Sequence, residues 1–292
     1  MSAMKNLADA MIAATETDTT TTATDTTTTD GQINRVLGKP SLILHVPTML
    51  LKNLFQRVLF ATYDRNGRYA LDNVQLSFSP TGITATATDG RQLATSTILA
   101  DLPVVETDGF SVLVPRKIAK SVVTRVTSSA TSSTMKISIF GTDHFGDLIR
   151  LEWCGYGNRA KHILIDTADG RFPKWKDIVT PDAESKTKIS ITAGELKTAI
   201  NSVTESVGFD FNFSSDDTGL KISKPAATAI CNVDGAPLSI RLNADYVSGF
   251  LSTLDDRDDI FIFANNADEK MIFVSPYSEY VLMPLARDRC NR

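Results

Sequence analysis

The sequence predicts an α+β fold made of two copies of one unit, each with two helices packed on antiparallel sheet. Three observations carry this prediction. Apolar residues return every three to four positions in four separate stretches, which marks amphipathic helices. Between them lie short runs of β-branched and aromatic residues broken by turn residues, which mark strands and hairpins. The order helix, hairpin, helix, strands then occurs twice, which marks an internal repeat with helices segregated to one side of a sheet.

The first unit opens with a helical pattern over residues 48–60, whose apolar positions Leu50, Leu51, Leu54, Phe55, Val58 and Leu59 form one face. Residues 74–78 and 83–87 flank Pro80-Thr81-Gly82 and read as a hairpin. A second helix follows Val114-Pro115, with the proline placed in its first turn, and runs to Val126. Residues 136–140 and 148–153 then read as strands.

The second unit repeats the order. Thr192 and Glu195 form a capping box for a helix over 196–203. Residues 211–213 and 220–222 flank a turn over 214–219. Asn243 caps the fourth helix, whose apolar face is Tyr246, Val247, Phe250, Leu251 and Leu254. Strands are expected at 260–263 and 271–274, with a closing apolar run over 280–284. Residues 180–186 (TPDAESK) are polar and marked by proline, so they read as the linker. The expected division is a tail over 1–40, one domain over 41–181 and a second over 187–292. The tail contains ETDTTTTATDTTTTD at 16–30; with almost no apolar side chain it cannot offset the entropy of ordering, and disorder is expected.

Composition narrows the function. The chain has 292 residues, a formal net charge of −4 and an ordinary apolar content of 42%. No apolar run reaches the roughly 18 residues that would span a bilayer. Cys154, Cys231 and Cys290 are far apart and odd in number, which reads as reduced thiols in a cytoplasm. Three histidines, His45, His144 and His162, do not pair at metal-ligand spacing, and neither a dinucleotide fingerprint nor a P-loop is present. Residues 255–259 (DDRDD) read as a solvated turn rather than a cation site. No nucleophile–base set emerges, so a non-catalytic protein with no cofactor and no metal is expected.

Five segments resemble the bacterial beta sliding clamp, the DNA polymerase III beta subunit family. They are residues 68–71 (RYAL), 87–94 (ATDGRQLA), 114–117 (VPRK), 169–173 (DGRFP) and 281–285 (VLMPL). The resemblance extends from about residue 42 to the end and maps onto the second and third of the family's three domains; the Thr/Asp-rich tail stands where the first domain would be. It implies the DNA clamp fold, in which six similar domains form a ring with helices lining the hole and sheets outside. It also implies a processivity factor of DNA replication, homo-oligomeric and cytoplasmic at the nucleoid. Such a protein encircles duplex DNA without reading sequence and docks short peptides of replicative and repair polymerases and the clamp loader.

Carried over residue by residue, the family's peptide pocket falls on Leu71, Thr88, Gly90, Leu93, Pro173, Ile178, Asn243, Tyr246, Val281, Leu282, Met283, Pro284 and Leu285. Apolar walls with a few polar groups suit a peptide anchor. The DNA-facing positions are Lys52, Arg57, Tyr69, Arg116, Lys117, Lys120, Arg125 and Lys197. The helix over 116–126 carries no acid, and loose phosphate contacts of this kind suit sliding. The chain departs from the family where Arg91-Gln92 replaces a usual His-Arg, where Asp177 replaces a common basic residue, and where Ala286 precedes Arg287. A ring of six domains needs three copies of a two-domain chain, head to tail. Thr204-Glu205-Ser206 stand near the family's apolar subunit junction, so a weak, concentration-dependent trimer is expected. The alternative is a non-encircling clamp paralogue that keeps only the pocket and acts as adaptor or competitor.

Overall fold

The computed structural model describes residues 39–63, 70–102, 109–126, 134–140, 148–154, 160–168, 170–179, 185–207, 210–216, 219–223, 227–229, 232–235, 238–266 and 268–285. Residues 1–38 of the expected tail, Tyr69, Asp169, residues 180–184 and the last residues from Ala286 lie outside them, as do the side chains of Thr204, Glu205 and Ser206. Contacts divide the chain into two compact units: residues 1–86 with 97–172, and residues 87–96 with 173–292. The divide falls after Phe172, ahead of the expected linker, and the 87–96 segment groups with the second unit.

The first unit begins with β1 (Leu42–Pro47) and α1 (Thr48–Val58). The hairpin β2 (Asn73–Ser79) and β3 (Gly82–Thr88) follows, then β5 (Phe110–Pro115) and α2 (Arg116–Arg125); β4 (Gln92–Leu99), between β3 and β5 in sequence, begins in the segment that groups with the second unit. β6 (Thr134–Phe140), β7 (Leu148–Cys154) and β8 (Ala160–Asp166) complete it. One sheet has the order β1-β6-β7-β8, and β2 pairs on its two sides with β3 and β5. The turn of the hairpin needs glycine. Gly82 has φ +154°, and a Cβ there would stand 2.1 Å from the carbonyl oxygen of Ile98. Phe78 and Phe110 face each other across β2 and β5 and stack at 4.7 Å, worth about 0.5–1.5 kcal/mol beyond burial.

Both helices of this unit start after a proline. Pro47 and Pro115 occupy the N-cap, with φ −57° and −55°, rather than the first turn expected for Pro115. Neither offers a side-chain cap, so helix stability rests on the buried face. That face is Leu51, Leu54, Phe55 and Val58 on α1 with Ala119 and Val122 on α2, all at most 1% exposed.

The second unit repeats the plan. It runs β9 (Thr187–Thr192), α4 (Ala193–Val207), β10 (Asp210–Asp216), β11 (Gly219–Ser223), β12 (Ala227–Ala229), β13 (Asn232–Gly235) and β14 (Leu238–Asn243). α5 (Ala244–Leu251), β15 (Asp259–Ala264), β16 (Met271–Val274) and β17 (Ser278–Leu282) follow, and the short α3 (Lys176–Val179) precedes β9. The order β12-β11-β10-β14 parallels β3-β2-β5 with its flanking strand, and β9-β15-β16-β17 parallels β1-β6-β7-β8. β13 adds to β9, and β4 adds to β17.

The capping box forms: Thr192 N and Oγ1 both donate to Glu195 Oε2, at 3.2 and 2.8 Å, and Glu195 N donates back to Thr192 Oγ1 at 3.3 Å. Asn243 Oδ1 accepts from Asp245 N and Tyr246 N, at 3.0 and 3.3 Å. Such a cap contributes about 1 kcal/mol. Two expectations shift. The hairpin turn is shorter than 214–219, because Ser214, Ser215 and Asp216 pair with Lys221, Leu220 and Gly219 in the ladder. Leu254 is buried but lies past the end of α5.

The two repeats share a further detail. Lys52, the fifth residue of α1, donates from Nζ to the carbonyl oxygen of Val126 just past α2, at 2.8 Å. Lys197, the fifth residue of α4, donates from Nζ to the carbonyl oxygen of Leu254 just past α5, also at 2.8 Å, and to Asp256 Oδ1 at 2.7 Å. In each unit a lysine on the first helix caps the end of the second, where orphan carbonyls concentrate negative partial charge.

Candidate docking surface and helix face

β17 and β4 bring the best-defined candidate surface together in the second unit. Register sets Phe263 opposite Ile272, Ile272 opposite Val281, and Val281 opposite Leu93. One row therefore crosses four strands. Leu93, Val281 and Ile272 cluster with Val179 of α3, and Trp175 and Phe263 pack against them partly buried. α3 is held there because Lys270 Nζ donates to the carbonyl oxygen of Ile178 at 2.8 Å and Ile178 N donates to that of Trp175 at 2.8 Å. Ile178 and Met283 project at the margin, 39% and 45% exposed. Pro173 is exposed, and Pro284 and Leu285 are half-buried.

Leu282 has a different place. Side chains alternate along β17, so Tyr280 and Leu282 face the opposite side from Val281. Both are 0% exposed. Tyr280 stacks on Phe250 of α5 at 4.8 Å and tilts against Phe273 at 5.5 Å. Leu282 is thus part of the helix-side core. Sequence reasoning missed Trp175, Val179, Phe263 and Ile272. Their alternation marks them as apolar, but only strand pairing shows that they share a row with Leu93 and Val281.

A polar turn borders this row. Gly90 takes φ +90°, which favours glycine. Thr88 Oγ1 donates to the carbonyl oxygen of Gln92 at 2.6 Å and accepts from Gly90 N at 3.1 Å. Asp89 Oδ1 accepts from Arg91 N and Gln92 N, at 2.8 and 3.0 Å, and Oδ2 accepts from Gln92 Nε2 at 3.0 Å. Tyr280 donates its hydroxyl to Gln92 Oε1 at 3.0 Å and to the carbonyl oxygen of Tyr246 at 3.1 Å. Burial, and then the nearby Asp89 and Tyr246, hold the Tyr280 phenol well above its ordinary value. Burial raises the Tyr246 phenol too, followed by the charge and the hydrogen bond of Asp89, with Arg91 opposing. Arg91-Gln92 is therefore divided in role. Gln92 is buried in the polar network, while Arg91 is exposed and its carbonyl accepts from Met283 N at 3.0 Å. Asn243 lies half-buried and serves as the cap of α5. Leu71 belongs to the first unit, half-buried in a tight helical turn, where its carbonyl accepts from Tyr63 N at 3.0 Å.

The candidate DNA-facing residues also separate by environment. Lys117, Lys120 and Arg125 are exposed along α2, which holds no acidic residue. Arg57 and Arg116 are half-buried. Lys52 and Lys197 have their ammonium groups engaged with helix ends. On α4 and α5 the exposed residues among those described are Glu195, Thr198, Asn201, Asp245 and Ser248, with no cation among them. Among the described residues no group of three or more His, Cys, Asp or Glu side chains is placed to hold a metal, and no helix is long and apolar enough to cross a membrane.

Comparison with known proteins places these features. Residues 45–174 match the family described as DNA polymerase III beta subunit, central domain. No curated protein sequence matches the chain. Among solved structures, the sliding clamp of Pseudomonas aeruginosa bound to griselimycin is similar with a TM-score of 0.73 and 20% identity, over 86% of this chain and 67% of that one. The DNA polymerase sliding clamp of Bacillus subtilis gives 0.71 and 20%, over 86% and 66%. A putative DNA polymerase III beta subunit of Eubacterium rectale gives 0.73 and 15%, over 85% and 67%. The chain spans about two thirds of the length of the clamps it matches. Residues 45–174 thus resemble the central domain of the DNA polymerase III beta subunit, and the chain has the fold of the DNA sliding clamps.

Proposed function

We propose that this protein is a DNA clamp: a non-catalytic tether that encircles duplex DNA and holds polymerases, through docked peptides, at the template. The observation that carries this reading is the acid-free α2, with Lys117, Lys120 and Arg125 exposed, inside the segment that matches the beta-subunit central domain. Cations on one helix give a sequence-independent, salt-sensitive attraction for phosphates. The Leu93–Val281–Ile272–Val179 cluster with exposed Met283 and Ile178 supplies an apolar anchor site for an extended peptide. Docking there converts a bimolecular encounter with DNA into an intramolecular one, which raises effective concentration at the template.

Strand edges support assembly into a ring. β17 has a partner on each side, β16 and β4. β8 corresponds to it in the first repeat, yet is paired only with β7 among the described strands. β12 likewise is paired only with β11. These two open edges suit antiparallel pairing between copies, β8 of one with β12 of the next, as β17 pairs with β4. Such an interface is heterologous and closes by rotation; six domains in the ring make it a trimer.

The test is native mass in solution over a wide concentration range, with retention on circular and linearised DNA. A trimer kept by circular DNA and lost from linear ends is the expected result. A strict monomer that circular DNA does not retain would overturn encirclement. One observation favours a second reading in that event. The exposed positions of α4 and α5 hold no cation among the described residues, and Lys197 is engaged. A chain positive on one unit only would serve as a non-encircling adaptor or competitor for clamp-binding peptides.

A further inference from the structure

Beyond the apolar row, the same sheet face continues into a second row: Phe261 opposite Val274, Val274 opposite Glu279, and Glu279 opposite Thr95. Two residues along each strand separate the rows, or about 7 Å. The second row sets Phe261 and Val274 beside Glu279 and Thr95, and it is less covered at its Phe261 end. Phe261 is 47% exposed and Tyr277, just before β17, is 45% exposed. Of the eight large hydrophobic residues exposed among those described, Phe261, Tyr277, Met283 and Ile178 all belong to this one unit. Single exposed hydrophobics are ordinary; a patch of them marks a surface that another molecule covers.

In the middle of this patch sits a carboxylate. Glu279 is half-buried between Val274 and Thr95, and no hydrogen bond or ion pair to its carboxylate is found among the described residues. Burial alone raises its pKa; no neighbouring charge contributes. A partly desolvated, unpaired carboxylate in apolar surroundings is costly to keep, and the cost is recovered only when a cation docks beside it.

We propose that this second row extends the docking surface and that Glu279 selects partner segments carrying a lysine or arginine next to their apolar anchors. The proposal rests on the peptide-docking reading above. The occupant is an extended segment of a partner protein. Its anchors lie against exposed Met283 and Ile178 at the margin of the first row, and its basic side chain, one to three residues away, lies along Phe261 and Val274 to reach Glu279. The aliphatic stem of lysine or arginine suits the apolar flanks while its head meets the carboxylate.

The experiment uses the full chain and three labelled peptides. Two have identical apolar anchors and differ by arginine or glutamine beside them; the third has the arginine but alanine at the anchors. Wild type is expected to bind the arginine peptide about tenfold more tightly than the glutamine peptide, and to bind the anchorless peptide undetectably. Glu279→Gln, close in shape, is expected to hold both anchored peptides equally, at the affinity wild type shows for the glutamine peptide. Equal binding of both anchored peptides by wild type, or a preference that survives Glu279→Gln, overturns the proposal and leaves the docking reading standing. Failure of wild type to bind any anchored peptide overturns both. A change in self-association on Glu279→Gln, with peptide preference intact, would assign the patch to a second copy of the chain and overturn the proposal.

Discussion

Lys52 Nζ lies 2.8 Å from the carbonyl oxygen of Val126, so a side chain on α1 closes the C-terminal end of α2. The counterpart pair, Lys197 and Leu254, has the same length in the second repeat. A lysine bound in this way works inside the fold. It neutralises the end of a helix dipole and satisfies an orphan carbonyl, at about 1–2 kcal/mol.

This separates cations engaged inside the fold from those proposed to face DNA. Lys52→Met is expected to lower stability by about 1–2 kcal/mol while changing the salt dependence of DNA binding little. Lys120→Ala is expected to do the opposite: stability within about 0.5 kcal/mol of wild type, and a slope of log affinity against log salt reduced by about one. Denaturant unfolding and salt titrations on duplex DNA check both. A full unit of slope lost in Lys52→Met would show that its ammonium reaches phosphate.

Peptide docking is separable from folding by exposure. Met283 is 45% exposed and Leu93 only 5%. The change Met283→Ala is expected to weaken binding of an apolar anchor peptide by at least about tenfold, because anchor side chains dominate small interfaces. It should leave stability nearly unchanged. Leu93→Ala, by contrast, empties a buried position and should cost about 2–4 kcal/mol of stability. Titration with one labelled peptide, alongside thermal melts, distinguishes the two effects. Equal affinities of wild type and Met283→Ala would remove the anchor assignment.

Strand edges give a test of assembly independent of DNA. A proline at Thr228, in the middle of the open edge strand β12, removes a ladder donor. Association between copies measured by sedimentation should then fall at least tenfold, whereas Thr228→Val should leave it unchanged. Loss of melting cooperativity in the proline variant would mean that the unit itself is disturbed; charged substitutions at Leu164 on the face of β8, 42% exposed, provide the second probe.

Glu279 makes stability depend on pH in a defined direction. Burial raises its folded pKa above that of an ordinary glutamate. Between the unfolded and folded values the native state holds more protons than the unfolded state, so stability falls as pH rises through that window. The penalty is absent in acid below the ordinary value and complete above the folded one. Glu279→Gln is therefore expected to stabilise the protein at neutral pH, by a margin reduced by solvent screening of a half-exposed group, and to make no difference near the acid end. Paired urea melts of the two proteins across that range give the comparison; a larger gain in acid than at neutrality would contradict the assigned cause.

Much of the secondary structure was written in local patterns. The apolar spacing of Leu51, Leu54, Phe55 and Val58, the Thr192–Glu195 box and the Asn243 cap each act within a few residues, so a single chain segment holds the whole signal. The repeat was legible for the same reason, and the family segments brought Leu93, Val281 and Met283 forward as candidates by order and context. What tertiary structure alone decided is which residues meet across long separations. Val281 and Leu282 are neighbours of equal character in sequence; strand pairing turns the first toward Leu93 and Ile272 and seals the second beneath α5. Lys52 and Lys197 read as free cations until the ends of α2 and α5 arrive beside them. Glu279 gives no signal in sequence at all. Its isolation depends on Val274, Thr95 and Phe261, brought beside it by cross-strand register, and register is a non-local property of the folded sheet.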